Sequence, residues 1–199
     1  MPKQARAVRT RHKLVTSAAE SFVRHGYEKV VLADVASRAG VSGGGLSFHF
    51  GGKRALAEAV LEAASERLGR ITAEGAARNT GSVLDAVAGT MRRLLAELEA
   101  DPVLRAGFNL SRDVRGLGGA QNPDVRWQRW VEGMLVRAER DGSLAADVPA
   151  RGLSYVLTAA TADLGMRCCA GSEAAPDALD RLWSLLLPRV STPAPGAVR

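Results

Sequence analysis

The sequence predicts an all-α protein of about nine helices, a small N-terminal three-helix unit followed by a larger helical domain. Three observations predict it. Apolar residues recur at helical spacing along almost the whole chain, with no convincing series of alternating strands. Glycine, proline and short polar residues fall where those segments begin and end. The excess of positive charge is confined to the first quarter of the chain.

The elements follow in order. Leu14, Ala18 and Phe22 share one face of a first helix, which Gly26 ends as a C-terminal glycine. Leu32, Val35, Ala36 and Ala39 mark a short second helix stopped by Gly40, and Ser42 is placed to cap a third through Phe48. A longer fourth helix carries Leu56, Val60, Leu61, Ala64, Leu68 and Ile71, and GAARNTGS reads as a loop. Val83 to Leu98 form a strongly amphipathic fifth helix. Asp101-Pro102 opens the sixth, which dissolves in RGLGGAQNP. The seventh runs from about Asp124 to Arg140, and the eighth from roughly Arg151 to Cys169. Leu179, Leu182, Trp183 and Leu186 mark the ninth, which Pro188 ends.

The chain has 199 residues, 46% hydrophobic and 24% charged, which suits a globular protein with a real core. No apolar run approaches the roughly 20 residues needed to span a bilayer. The basic MPKQARAVRTRHK stretch is followed by no apolar run of the kind a secretory leader has, so a cytoplasmic protein with no membrane partner is expected. Cys168 and Cys169 are adjacent and read as semi-buried free thiols, since neighbours on a helix are poorly placed for a disulfide. Residues 1–56 hold ten Lys/Arg against three acids, a net of +7, and the remainder is near neutral. That split suggests a reader of polyanions attached to a regulatory body; charge alone also fits a membrane-surface patch or a solvated face.

Function becomes specific between Gly26 and Leu56, in GYEKVVLADVASRAGVSGGGLSFHFGGKRAL. Two short helices joined at Ala39-Gly40-Val41-Ser42 make a helix-turn-helix: Gly40 permits the turn, Val41 plugs the space between the helices and Ser42 caps the second. Such a unit places its second helix in a major groove while neighbouring cations grip phosphate. Phe22, Gly26, Tyr27, Asp34, Val35, Ala36, Ala39, Gly40, Val41, Ser42, Gly44, Leu46, His49, Phe50, Lys53 and Leu56 resemble, at fixed spacing, the TetR family of bacterial regulators. The resemblance implies a DNA-binding domain over residues 1–54 and a ligand-binding and dimerisation domain over 55–190. Residues 191–199, STPAPGAVR with the last helix behind them, read as a disordered tail. Asp101 to Gly107 and the region of Trp127 are similar to the γ-butyrolactone receptors of Streptomyces-type bacteria, where a tryptophan here lines the ligand pocket.

The chain departs from the family pattern at four places. Val30-Val31 stand where Thr or Ser usually caps the second helix, a cap whose loss costs about 1 kcal/mol. Gly43, Gly44 and Gly45 follow one another in the recognition helix and weaken it by about 2–3 kcal/mol together. Ser47 replaces an aromatic residue, and Ala64 stands where the subgroup often has Gln.

Candidate DNA-binding residues are therefore Ser42, Gly43, Gly44, Gly45, Ser47, Phe48, His49 and Lys53, the last holding phosphate from the start of the fourth helix. His49, with no ligand-forming neighbours, reads as structural or as a phosphate donor, not as a metal ligand. Trp127 is the principal ligand-binding candidate, with Trp130, Met91, Phe108 and Thr161 behind it; core packing is the competing reading for both tryptophans. Leu179, Leu182, Trp183 and Leu186 are expected at a homodimer interface built from the last two helices. No cofactor, metal or catalytic motif is expected: there is no Gly-rich phosphate loop with Lys-Ser/Thr, no GxSxG and no HExxH. The reading is a repressor on palindromic double-stranded operator DNA, released by a small-molecule effector such as a γ-butyrolactone or an antibiotic. A constitutive DNA-binding regulator and a small helical enzyme are the alternatives.

Overall fold

The computed structural model describes residues 3–78, 81–169 and 174–192. Among them are nine α-helices and no strand: α1 (Lys3–Lys29), α2 (Leu32–Ala39), α3 (Gly43–His49), α4 (Lys53–Arg78), α5 (Val83–Ala100), α6 (Pro102–Asp113), α7 (Pro123–Arg140), α8 (Ala150–Cys169) and α9 (Ala174–Val190), with one 3-10 turn at Gly119–Gln121. The all-α expectation is met. Two compact units result, residues 1–68 with 100–126 and residues 69–99 with 127–199.

Helix boundaries follow local chemistry. Gly26, at φ 75° and ψ 162°, breaks the helical path of α1 in a conformation that only glycine adopts cheaply. Asp101 caps α6 by accepting from the N–H groups of Val103 and Leu104, with Pro102 in the first turn. Ser82 and Asp85 form a reciprocal box at the start of α5: the Ser82 N–H donates to Asp85 Oδ2 and the Asp85 N–H to Ser82 Oγ.

Two boundary expectations are corrected. The fourth helix does not stop before GAARNTGS but runs to Arg78, because Gly75 sits directly under the Thr90 side chain and Glu74 pairs with Arg93 at 2.6 Å. Pro188 does not end the ninth helix. It falls in the last turn, where buried Val190 and the Ser191 N–H to Leu187 O bond carry the helix past it. Ser191 and Thr192, read as the start of the tail, are held. Ser191 bridges Leu144, and the Thr192 hydroxyl donates to Gly142 O at 2.7 Å. Residues 193–199, the rest of that tail, lie outside the described residues, as do the side chains of Cys168 and Cys169.

In the first unit, Leu14, Ala18 and Phe22 of α1, Val35 of α2, Leu46 of α3, Leu56, Val60 and Leu61 of α4 and Val103, Ala106 and Leu110 of α6 make one buried cluster. The α6 helix packs along α1. A carboxylate is also drawn into this unit: burial pushes the Asp124 carboxyl above its ordinary range, and Arg112, 3.8 Å away, offsets part of that. In the second unit the core is formed by Leu84, Val87, Met91, Leu94 and Leu95 of α5, Val131 and Leu135 of α7, Leu157 and Leu164 of α8, and Leu179 and Trp183 of α9.

One contact in the first unit is unusually close. A Cβ built on Gly107 of α6 would fall on the Cβ of fully buried Ala64 of α4. This explains the small residue at 64, since a longer side chain such as Gln has no room there. Gly107→Ala should lower stability by about 1–3 kcal/mol through overpacking. Adding Ala64→Gly should recover part of that loss, so thermal melts of both single variants and the double variant should show strong non-additivity.

Candidate nucleic-acid interface

The turn between α2 and α3 is built from short-range bonds. Gly40 takes the left-handed conformation (φ 65°, ψ 36°) and its N–H donates to Ser37 O, while the Val41 N–H reaches back to Ala36 O at 3.0 Å. Ser42 then caps α3, its hydroxyl oxygen accepting from the Gly45 N–H at 3.1 Å. At the other end of α2, Val31 occupies the N-cap position with no side-chain cap; Asp34 in the first turn favours the positive end of the helix dipole instead.

The three consecutive glycines have different reasons. A Cβ on Gly45 would lie 2.7 Å from Val41 Cγ1, so the side chain that plugs the turn requires glycine there. Gly43 and Gly44 face open space, and nothing in the chain would obstruct a side chain at either. Leu46, 3% exposed, anchors α3 to the core. Opposite it, Ser42, Gly43, Gly44, Ser47 and Phe48 form the exposed face.

Lys53 stands at the first position of α4, but its ammonium is engaged within the chain. It donates to Glu28 O at 2.8 Å and Val30 O at 3.4 Å, and lies 4.9 Å from the centre of the Tyr27 ring. An ammonium has three donors, which leaves one to point outward. His49 is half-buried, edge-on to Phe48 at 5.3 Å, and lines an open hollow of about 610 Å³ with Arg11, Phe50, Glu58 and Glu62. Arg11 lies over the Phe50 ring and pairs with Glu62 at 3.3 Å, so this hollow is of mixed charge. Arg6, Lys13, Arg24, Lys29 and Arg38 are exposed on the same unit. No cluster of metal-ligating side chains occurs among the described residues, and no described helix is long and apolar enough to cross a membrane.

The remaining candidates divide between the units. Phe108 is buried in the first. Trp127, Met91 and Thr161 are buried in the second, where half-buried Trp130 stacks on Trp127 with ring centres 5.2 Å apart. The Thr161 hydroxyl donates to Leu157 O at 2.7 Å, which leaves its oxygen free only to accept. Trp127 Nε1 and Trp183 Nε1 are the two buried side-chain polar atoms without a hydrogen-bond partner among the described residues. The orphan donor of Trp183 has no sequence signal, because spacing shows that a ring is buried but not what its N–H meets.

On α9, Leu179 and Trp183 are each 1% exposed and fill their own unit's core, while Leu182 and Leu186 are half-buried. Among the described residues, the large apolar side chains that α8 and α9 expose are Tyr155, Val156, Met166 and Leu185, none of which the helical spacing of Leu179, Leu182, Trp183 and Leu186 points to.

A basic helix-turn-helix unit with an exposed second helix defines a DNA-binding protein, and residues 14–60 match the model for bacterial regulatory proteins of the tetR family. That match covers α2, α3, the second half of α1 and the start of α4. The chain is similar to the A-factor receptor protein of Streptomyces griseus, at 27% identity over 198 residues covering 97% of this chain and 68% of that one. Among solved structures it is similar to a gamma-butyrolactone receptor (ArpA-like protein), at 28% identity and a TM-score of 0.82 over 94% of this chain and 91% of that one. It is also similar to CprB of Streptomyces coelicolor, solved in complex with its biological operator sequence, at 28% identity and a TM-score of 0.79 over 95% and 92% of the two chains.

The position of Lys53 generates a prediction that needs no DNA. Lys53→Met keeps the stem and removes the bonds to Glu28 O and Val30 O, so it should cost about 1–2 kcal/mol and lower the melting temperature by about 2–8 °C. An unchanged melt would mean that the bonds to Glu28 O and Val30 O add nothing measurable to the fold.

Proposed function

We propose that this chain is a homodimeric repressor that binds palindromic operator DNA through α3 and is released by a small molecule of γ-butyrolactone type or by an antibiotic. The DNA-binding face supports the first half of this reading: exposed cations surround a recognition helix that is capped, anchored and open to solvent. The observation that carries the second half is the Trp127 indole: it is 2% exposed, stacks on Trp130, and its own N–H meets no acceptor among the described residues. Leaving a buried donor unpaired costs about 1–3 kcal/mol, and a ligand carbonyl or hydroxyl at that N–H removes the penalty. The effector then favours whichever conformer holds it better, and repression is relieved by that difference. The relatives named for γ-butyrolactones and for an operator complex support the same reading.

The test begins with duplexes selected from a random pool by the full-length protein. Their affinity should fall steeply with salt, as counterions are released from several phosphates. Alkyl-substituted γ-butyrolactones should then release the wild type. Trp127→Phe keeps an aromatic ring and loses the donor, so it should bind the duplex normally but need up to about tenfold more lactone for release. A wild type that no lactone or antibiotic releases would instead support constitutive binding.

Dimerisation is assigned to α8 and α9, where Leu185 is 73% and Tyr155 72% exposed. Leu185→Asp should give monomers by light scattering. It should lose palindrome binding and keep an unchanged helical circular-dichroism spectrum. Two recognition helices must lie about 34 Å apart to enter successive major grooves, which only the dimer arranges.

A further inference from the structure

We propose that Phe48 is the specificity-determining residue of the recognition helix and reads the C5-methyl groups of thymine in the major groove. The inference rests on the DNA-binding reading above and adds the chemistry by which sequence is recognised.

Recognition helices usually discriminate bases with long hydrogen-bonding side chains, Arg or Lys to guanine and Asn or Gln to adenine. The α3 helix, GGGLSFH, has none. The N-cap Ser42 oxygen accepts from the Gly45 N–H and leaves one short O–H to offer, Ser47 is too short to span more than one base edge, and half-buried His49 lines the hollow beside Arg11. Phe48 remains. It is 83% exposed, the most exposed large apolar side chain among the described residues, and its one ring neighbour is the edge of His49.

Gly43 and Gly44 point the same way. Glycine weakens a helix, and in one of only seven residues that weakness is proportionately large. Nothing within 4 Å would meet a side chain at either position, so the chain's own packing does not call for glycine. Bare backbone on the outer face lets the helix lie closer to its target, which brings a single ring deeper into a groove. The target is anionic, since residues 1–56 carry +7. The one apolar group that duplex DNA offers in the major groove is the thymine methyl.

The experiment replaces thymines one at a time with deoxyuridine, which removes the methyl and keeps base pairing, in a duplex selected by the full-length protein. At the contacted position the wild type should lose about fourfold in affinity per half-site, the factor expected for one buried methyl. Phe48→Ala should bind the thymine duplex more weakly and show no loss on the uracil exchange. Phe48→Leu should restore part of the discrimination. Because Phe48 is exposed, the melting temperature of Phe48→Ala should equal that of the wild type, which separates loss of contact from loss of fold. A wild type indifferent to uracil at every thymine, or a Phe48→Ala variant that loses as much as the wild type, overturns the proposal while leaving DNA binding intact. Selection of no duplex at all overturns both.

Discussion

The ammonium group of Lys53 closes the end of α1 through Glu28 O and Val30 O, one residue before the N-cap of α2 and at the first position of α4. Carbonyls at a helix C-terminus carry partial negative charge and lack intrahelical donors, so a cation there both satisfies and neutralises them. The Tyr27 ring supports the same ammonium from below. One side chain thus joins the helix that precedes the turn motif to the helix that follows it. α2 has no side-chain N-cap of its own, and the clamp holds the carbonyl of the residue just before that N-cap.

The recognition surface that the clamp orients is unusually plain. Its glycines serve two masters: Gly45 accommodates Val41 and so belongs to the turn, while Gly43 and Gly44 answer to nothing inside the chain. A helix of seven residues with three glycines survives because Leu46 is buried and Ser42 caps it, so tertiary anchoring replaces intrinsic propensity. Local stability is lowest on the exposed face that the proposal assigns to DNA, and Leu46 holds the opposite face in the core.

The second unit shows the complementary economy. Among its described residues, Thr90 and Thr161 donate to carbonyls one helical turn back, while Arg92 and Arg93 pair across the unit with Asp180 and Glu74. Against that background two buried indole N–H groups without acceptors are exceptions that packing alone does not explain. Trp127 fills core volume through its faces and keeps an N–H donor with no acceptor among the described residues.

Most of the fold was legible in the sequence. Helical periodicity, the Asp101 and Ser42 caps and the turn at Gly40 all act within a turn or two of the chain, so each leaves a local trace that survives without knowledge of the rest. The Ala39-Gly40-Val41-Ser42 turn likewise located the helix-turn-helix. What the tertiary structure decided is how distant segments use those residues: that α6 lies along α1, that Gly107 must be glycine because Ala64 is there, that Gly75 and Val190 prolong helices which local signals stop, and that Leu179 and Trp183 face inward while Leu185 faces out. The physical reason is the same in each case. Propensity and capping are short-range and additive along the chain, whereas close packing is set by which side chains meet after the chain has folded back on itself.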